Sequence, residues 1–546
     1  MNGCHGVTRI MGRNVFDGLR VSINPADTKN NAGGVAYAMS PEQAFAQLML
    51  TGTFNNTYHV SGGVQLESFL DLASRVGPDF RHKAAVYAAE NGGSRLAQYA
   101  AIAVSMANGD VADGFNAAFK KVVRGVPQVR ELAGIFRSGV LGRRSFGTRP
   151  KRLLKGVLEG MPAEALFKGS VGDKPSFGDV IKLLHPKPTD DSQRALYARE
   201  IGRPYNPELL PVLVQQYDTF KKDGGVVPQI DIRLLQGLGL TDTQWVSVIP
   251  GFSWQTLRMN VRRWHEKGLF QKFPGLVDTI AARISNREEI LRARPEAYQL
   301  LMAYLATKAQ FGFPSAISEA FQDAMEIALE LVPSFGEKVA IAVDVSGSMA
   351  CPLTGDRAGG TSNVRKVDVA SLFAAAVLRK NPDSLVLPFH GQVLSCQLNP
   401  RDSVMTNAEK LANLCSNGTN CAAPVRELVN RKVSVDTIVM FSDDESWMNP
   451  EGRTTGPSTS SAYYTGAYPA TGLMDAFTDY KNKVNRNARL VCVDLEPNMT
   501  TQVINRKDIL NIGGFSDSVF KLVSLFATGD FDGDLLVKKI QSMIIE

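Results

Sequence analysis

The stretch VAIAVDVSGSM, residues 339–349, runs five apolar residues into a carboxylate and then sets hydroxyls at alternate positions, Ser346 and Ser348. A short unbroken apolar run is the pattern of a strand buried on both faces, as in a parallel sheet covered by helices. Similar runs follow at SLVLPF (384–389), DTIVMF (436–441) and RLVCVD (489–494). Helical patterns lie between them at 363–379, 423–431 and 471–485. Apolar strands alternating with helices predict an α/β unit of Rossmann-like type. Ligands of such sheets bind in the crevice beyond the carboxyl ends of the strands.

That rule gives the abrupt strand end a purpose. Asp344, Ser346 and Ser348 leave the first strand at its carboxyl end. MFSDDESW (440–447) places Asp443 at a second such exit, and the loop SNGTNCAAP (416–424) offers Thr419 ahead of a helix. Carboxylates and hydroxyls are hard oxygen ligands, suited to a divalent cation such as Mg²⁺ or Mn²⁺ rather than to zinc. Each piece alone is an ordinary helix cap after a strand. The ordered set at successive strand exits points to a metal. Neutral hydroxyls under-neutralise such an ion and leave a position open to an outside carboxylate or phosphate.

Before residue 335 the pattern is helix after helix. In PGFSWQTLRMNVRRWHEKGLF (250–270), Ser253 is placed to cap the first turn. Trp254, Leu257, Val261 and Trp264 share one stripe, Arg258 and Arg262 share another, and Gly268 stands at the end. RPEAYQLLMAYLATKAQFG (294–312) puts Ala297, Leu301, Tyr304 and Leu305 inward. PSAISEAFQDAMEIALELVP (314–333) does the same with Ile317, Phe321 and Met325. Medium helices with short Gly/Pro connections predict helix pairs stacked as a solenoid. The chain therefore divides into a helical-repeat domain, 1–335, and an α/β domain, 336–546.

The 546 residues carry a formal net charge of +6, unevenly distributed. Residues 1–335 hold 39 Lys and Arg against 31 Asp and Glu, and the remainder holds 21 against 23. Between 120 and 155, Lys120, Lys121, Arg124, Arg130, Arg137, Arg143, Arg144, Arg149, Lys151, Arg152 and Lys155 face the single acid Glu131. Solvated helix faces usually interleave both signs, so this run predicts a polyanion-binding surface. Six cysteines without a CxxC pair argue against a disulfide scaffold and a structural zinc site. No apolar run approaches the roughly 18 residues of a membrane span, and the N-terminus lacks the apolar core of a secretion signal. A cytoplasmic protein without a membrane partner is expected.

The ordered set DVSGSM, NGT and FSDDE resembles the metal-ion-dependent adhesion site of a von Willebrand factor A domain. DVIKLLHPKP (179–188), GRRSFGTRPKRLLKGVL (142–158) and ARPEAYQLLMAYLATKAQ (293–310), in a chain of helices followed by an A domain, resemble the Ro autoantigen family. These are the TROVE-domain RNA-binding proteins, and the resemblance, to a bacterial or phage-type member, covers nearly the whole chain. It implies a monomeric ring of HEAT-like helical repeats closed by the A domain. It further implies that single-stranded 3′ ends of misfolded RNAs thread a positively charged hole while Y RNA binds the outer surface. The bacterial members are similar to an adaptor serving an exoribonuclease in RNA quality control.

Carried over by position, the metal ligands are Asp344, Ser346, Ser348, Thr419 and Asp443. His185 falls on the Y RNA surface with Lys182, Lys187 and Lys168 beside it, and the run 120–155 supplies phosphate contacts. Against the family pattern, ACPLTGDRAGGTSN (350–363) is long and adds Asp356, and the Gly/Ser/Thr-rich segment 449–472 is expected to be a mobile loop beside Asp443. A non-catalytic role is expected. The alternatives are a metal-dependent nuclease using Asp344, Asp443, Asp444 and Glu445, and a protein-binding scaffold using the adhesion site. Against the nuclease, hydroxyls substitute poorly for bridging carboxylates, and neither a GxxxxGK[ST] nor a GxSxG motif is present.

Overall fold

A computed structural model describes residues 25–446 and 471–545, apart from 53, 56–60, 111–113, 173, 331–332, 334–337, 354–363, 417, 515–517 and 529–532. Asp356 and residues 449–470 of the Gly/Ser/Thr-rich segment lie outside the described residues.

Among the described residues, nineteen α-helices run from Pro41–Thr51 to Ser315–Leu329. Local chemistry sets their ends. The Ser40 hydroxyl accepts from the backbone N–H of Gln43, whose side chain returns the bond. Ser253 caps Trp254–Glu266 by accepting from the Thr256 N–H. Trp254, Leu257, Val261 and Trp264 are all buried, as are Ile317, Phe321 and Met325. Arg258, one turn before Arg262 on the same face, is buried, with Nη1 donating to the Gln299 carbonyl at 2.7 Å. In Ala297–Lys308 the inward stripe includes Leu300, while Leu305 is only half-buried, because the stripe drifts across the helix face.

Helices close in sequence pack against one another, Pro78–Glu90 on Arg95–Asn108 and Ala297–Lys308 on Ser315–Leu329. This is a stack of paired helices. Both ends of the stack rest on the α/β unit. At the beginning, Gln43 donates to Asp534 Oδ1 at 2.8 Å and Lys83 Nζ to the Gln541 carbonyl at 3.0 Å. At the far end, Glu326 accepts from Arg379 Nη2 at 2.7 Å and from the Val404 N–H at 2.9 Å. The helical arc is thus closed through the α/β unit.

The unit holds a five-stranded parallel sheet. Its strands are β3 (Val339–Asp344), β4 (Leu385–Phe389), β5 (Thr437–Ser442), β6 (Arg489–Asp494) and β8 (Ile509–Gly513). They are ordered β4-β3-β5-β6-β8, so the winding reverses between β3 and β5. Alternate residues serve two cores. Ile341, Val343, Val439 and Phe441 join Phe373 of helix Lys366–Lys380 in a core continuous with the helical half. Ala340, Ala342, Ile438 and Met440 meet Val425 and Phe477 on the opposite face. The sequence reading missed β8, and it also missed a small antiparallel sheet of β1 (Thr28–Lys29), β2 (Val35–Ala38) and β7 (Thr500–Thr501). These pieces are too short or too polar to show strand periodicity.

Candidate functional sites

At the carboxyl ends of β3, β5 and β6 the chain gathers acids that are almost wholly withdrawn from water. Asp344 closes β3, Asp443, Asp444 and Glu445 follow β5, and Asp494 closes β6; all are buried. The gathering lies at the winding reversal, because β3 and β5 are neighbours with Val343 opposite Phe441. Asp344 accepts from the Ser346 N–H at 2.8 Å and from Ser442 Oγ at 2.6 Å. The Ser346 and Ser348 hydroxyl oxygens stand 3.3 Å apart. Thr419 is buried in a loop fastened to the same edge, its carbonyl accepting from Ser446 Oγ at 3.5 Å.

Electrostatics at this edge follow from crowding. Burial, then the neighbouring Asp443, pushes Asp344 up to about 7. Burial, followed by Asp443, Glu445 and Asp344, does the same to Asp444. Glu445 also reaches about 7, chiefly through burial, although the Ala32 N–H and Asn31 Nδ2 donate to it, each at 3.0 Å. So many buried acids call for positive charge. Part of it comes from Lys366, which the sequence reading did not single out. This side chain, at the start of helix Lys366–Lys380, is buried with Nζ 2.9 Å from Asp443 Oδ2 and 2.5 Å from Glu496 Oε2. Burial alone lowers the Lys366 pKa, but Asp443 and Glu496 outweigh it and hold the ammonium charged.

The donor chemistry fits a hard divalent cation. Paired hydroxyls stand beside carboxylates, and the buried oxygens Asp444 Oδ2 and Glu496 Oε1 have no hydrogen-bond partner among the described residues. Among those residues no three His, Cys, Asp or Glu side chains converge as a metal-holding group. An ion here would therefore depend on the hydroxyls of Ser346, Ser348 and Thr419 beside Asp344 and Asp443.

The basic run lies elsewhere, on the helical half. Helices Val126–Ser138, Thr148–Glu159 and Phe177–Leu184 pack on one another. Arg137, Arg144, Arg152, Lys182, His185 and Lys187 are exposed on or beside them, as are Lys120 and Arg124 just upstream. Ion pairs of the run 120–155 include Lys121 with Glu90 at 4.0 Å and Lys155 with Glu159 at 3.5 Å. His185 caps its helix in the left-handed region, at φ 53°, a conformation that costs a non-glycine residue about 1 kcal/mol. The turn leaves its side chain in solvent.

Several members of the run are engaged within the fold. Arg130 donates through Nε to the Pro175 carbonyl at 2.7 Å and through Nη1 to the Val171 carbonyl. It is a brace between a helix and a loop, and not a free phosphate contact. Arg143 lies half-buried over the Phe136 ring, and Arg149 over Phe115 while donating to the Gly109 carbonyl at 3.1 Å. Lys151 is half-buried. Lys168 sits on Ala163–Lys168, a helix packed against Asp191–Glu200 and Val212–Asp223, and pairs with Glu164 at 2.6 Å.

Comparison with known proteins adds three findings. Residues 338–455 match the model of the Ro60 vWA domain. The RNA-binding protein RO60 of Deinococcus radiodurans is 26% identical over 215 residues, 39% of this chain and 36% of that protein, so the chain aligns with about a third of the length of this curated relative. The crystal structure of the Deinococcus radiodurans RO (RSR) protein superposes with a TM-score of 0.58 at 18% identity, covering 90% of this chain and all of the other.

Proposed function

Taking the chain as a Ro-type protein with a vWA domain, we propose that it binds RNA without cleaving it. One observation carries the reading: on three mutually packed helices and the loops beside them, solvent-facing cations outnumber the acids Glu131, Glu159 and Asp179. Such a surface gathers phosphates and makes affinity steeply salt-dependent. The finer reading has two RNA classes. Small structured noncoding RNA of the Y type contacts the face around Lys182, His185 and Lys187, and single-stranded 3′ ends of misfolded RNAs enter the closed helical arc. Strands thin enough to enter are held by backbone contacts and stacking, with little readout of base sequence. The protein then acts as a cytoplasmic, monomeric adaptor that presents RNA to an exoribonuclease.

The vWA edge has a separate part. Asp344, Ser346, Ser348, Thr419 and Asp443 hold a divalent cation, Mg²⁺ or Mn²⁺, which when bound offers a carboxylate or phosphate of a partner a place to dock. The ligand set argues against the nuclease reading, since the hydroxyls of Ser346, Ser348 and Thr419 substitute poorly for the bridging carboxylates of a two-metal centre. The experiment is a gel shift with a structured RNA bearing a single-stranded 3′ tail, with Mg²⁺ present throughout. Retarded, full-length RNA is expected. Absent binding, or shortening of the RNA that Asp344→Ala abolishes, overturns the reading.

A further inference from the structure

The vWA edge holds a cation of its own. Lys366 is fully buried, and its ammonium lies within contact of two acids from different strand exits, Asp443 after β5 and Glu496 after β6. Its backbone is fixed as firmly as its charge. Lys366 is the first residue of its helix, whose start is closed by Arg365 and Asp368: the Arg365 N–H donates to Asp368 Oδ2 at 2.8 Å. The Lys366 N–H also donates to the Cys351 carbonyl at 3.0 Å, tying it to the segment that follows Ser348. Asp443 is one of the two carboxylates assigned to the divalent ion, and one of its oxygens already lies 2.9 Å from an ammonium.

We propose that Lys366 is a built-in competitor for the divalent cation, so that the identity of residue 366 sets the metal affinity of this site. This rests on the metal reading above. An ion drawing on Asp443 must share that carboxylate with a positive charge a few ångströms away or force the lysine towards Glu496 alone. Two like charges in so dry a place repel strongly. With the lysine in place, the ionised acids are partly compensated and the edge is stable without metal. Without it, the same acids present an uncompensated negative pocket whose natural occupant is a doubly charged ion.

The test is calorimetric titration of the full-length chain with MnCl₂, comparing wild type with Lys366→Gln and with the charge-keeping Lys366→Arg. Melting temperatures are read with and without Mn²⁺. The Gln variant is expected to bind Mn²⁺ about tenfold tighter or more than wild type, because removing a like charge acts directly on cation affinity. It should melt lower than wild type without metal and regain most of the loss with it, while the Arg variant tracks wild type on both counts. Wild type binding Mn²⁺ while the Gln variant binds no tighter overturns the role of Lys366 and leaves the metal reading standing. Absence of binding to both sinks the metal reading and the proposal together. If the Gln variant does not fold, wild type decides: titration with Mg²⁺ must move the ¹⁵N resonance of the Lys366 ammonium, identified by its loss in the Arg variant. An unmoved resonance overturns the proposal.

Discussion

His82 is a neutral imidazole held inside the helical half, and its chemistry makes the fold acid-sensitive. The ring is buried with Nε2 3.0 Å from Ser105 Oγ, next to Arg81, whose guanidinium is tied to Asp110 at 2.9 Å. Burial first, and Arg81 second, pull its pKa from 6.5 to about 4. The unfolded chain therefore takes up a proton that the folded chain refuses. Stability is intact above the unfolded value near 6.5 and falls as pH drops towards 4. Between pH 7 and pH 5 this one group should remove about 2 kcal/mol, which His82→Gln should largely spare. Urea denaturation of both proteins at the two pH values measures the difference, and equal losses would contradict it. A second residue-scale expectation concerns Lys366→Ala in metal-free buffer: stranding buried Asp443 and Glu496 should cost roughly 3–5 kcal/mol, read as a lower urea midpoint. What sequence revealed at this scale was local. The stripe Trp254, Leu257, Val261 and Trp264 follows from helical spacing alone. Lys366 and Asp443 are 77 positions apart, and only the parallel sheet brings their elements together, so nothing local marked the lysine. Arg258 shows the converse: spacing put it on one face with Arg262, but gave no sign that the Ala297–Lys308 helix would cover it.

Elements were legible where one signal dominated. The four apolar runs became β3, β4, β5 and β6 within a residue or so of the expected bounds, since a continuous β-branched run between turns has few other uses. The fifth strand, ILNIG, hid behind a polar residue at its centre. Asn511 is buried there, its amide donating to the Val503 carbonyl and to Asn505 Oδ1, each at 2.8 Å, so a side chain that reads as a loop former staples the strand to a loop. Asn511→Ala should cost about 1 kcal/mol by removing two buried hydrogen bonds, since the Asn511 N–H still serves Asn505 Oδ1 and Thr501 Oγ1 still serves the Val503 carbonyl; it is seen as a lowered denaturation midpoint. Helix ends obey simpler rules. Ser253→Ala should cost about 1 kcal/mol through loss of the cap on Trp254–Glu266, and Ser253→Asp should restore it. The cationic helices belong to both descriptions. Lysines and arginines in a last turn complement the helix dipole wherever they occur, as Arg137 and Lys182 do. Their concentration on three helices packed together, beyond what capping needs, is the feature on which the proposed polyanion surface rests.

At the scale of the molecule, the helical stack begins and ends on the same α/β unit, so the two halves share one continuous core. The sequence announced two periodicities, but spacing held no sign of this closure, which only the family resemblance implied and which depends on contacts such as Glu326 with Arg379 and Gln43 with Asp534. Closure also separates the two candidate sites. The acidic edge lies at the strand exits, and the cationic surface lies on helices far from either junction in sequence. Changing one should leave the other intact. The most direct measurement of the central claim is RNA affinity against salt concentration for wild type and for the combined variant Arg137→Ala, Arg144→Ala, Arg152→Ala and Lys182→Ala, with Ser346→Ala as control. If the exposed cations hold phosphates, the combined variant binds more weakly, and its logarithmic salt dependence is shallower by roughly 0.7–0.9 for each contact removed, while Ser346→Ala matches wild type. Equal affinity and equal salt slope in the combined variant would contradict the account.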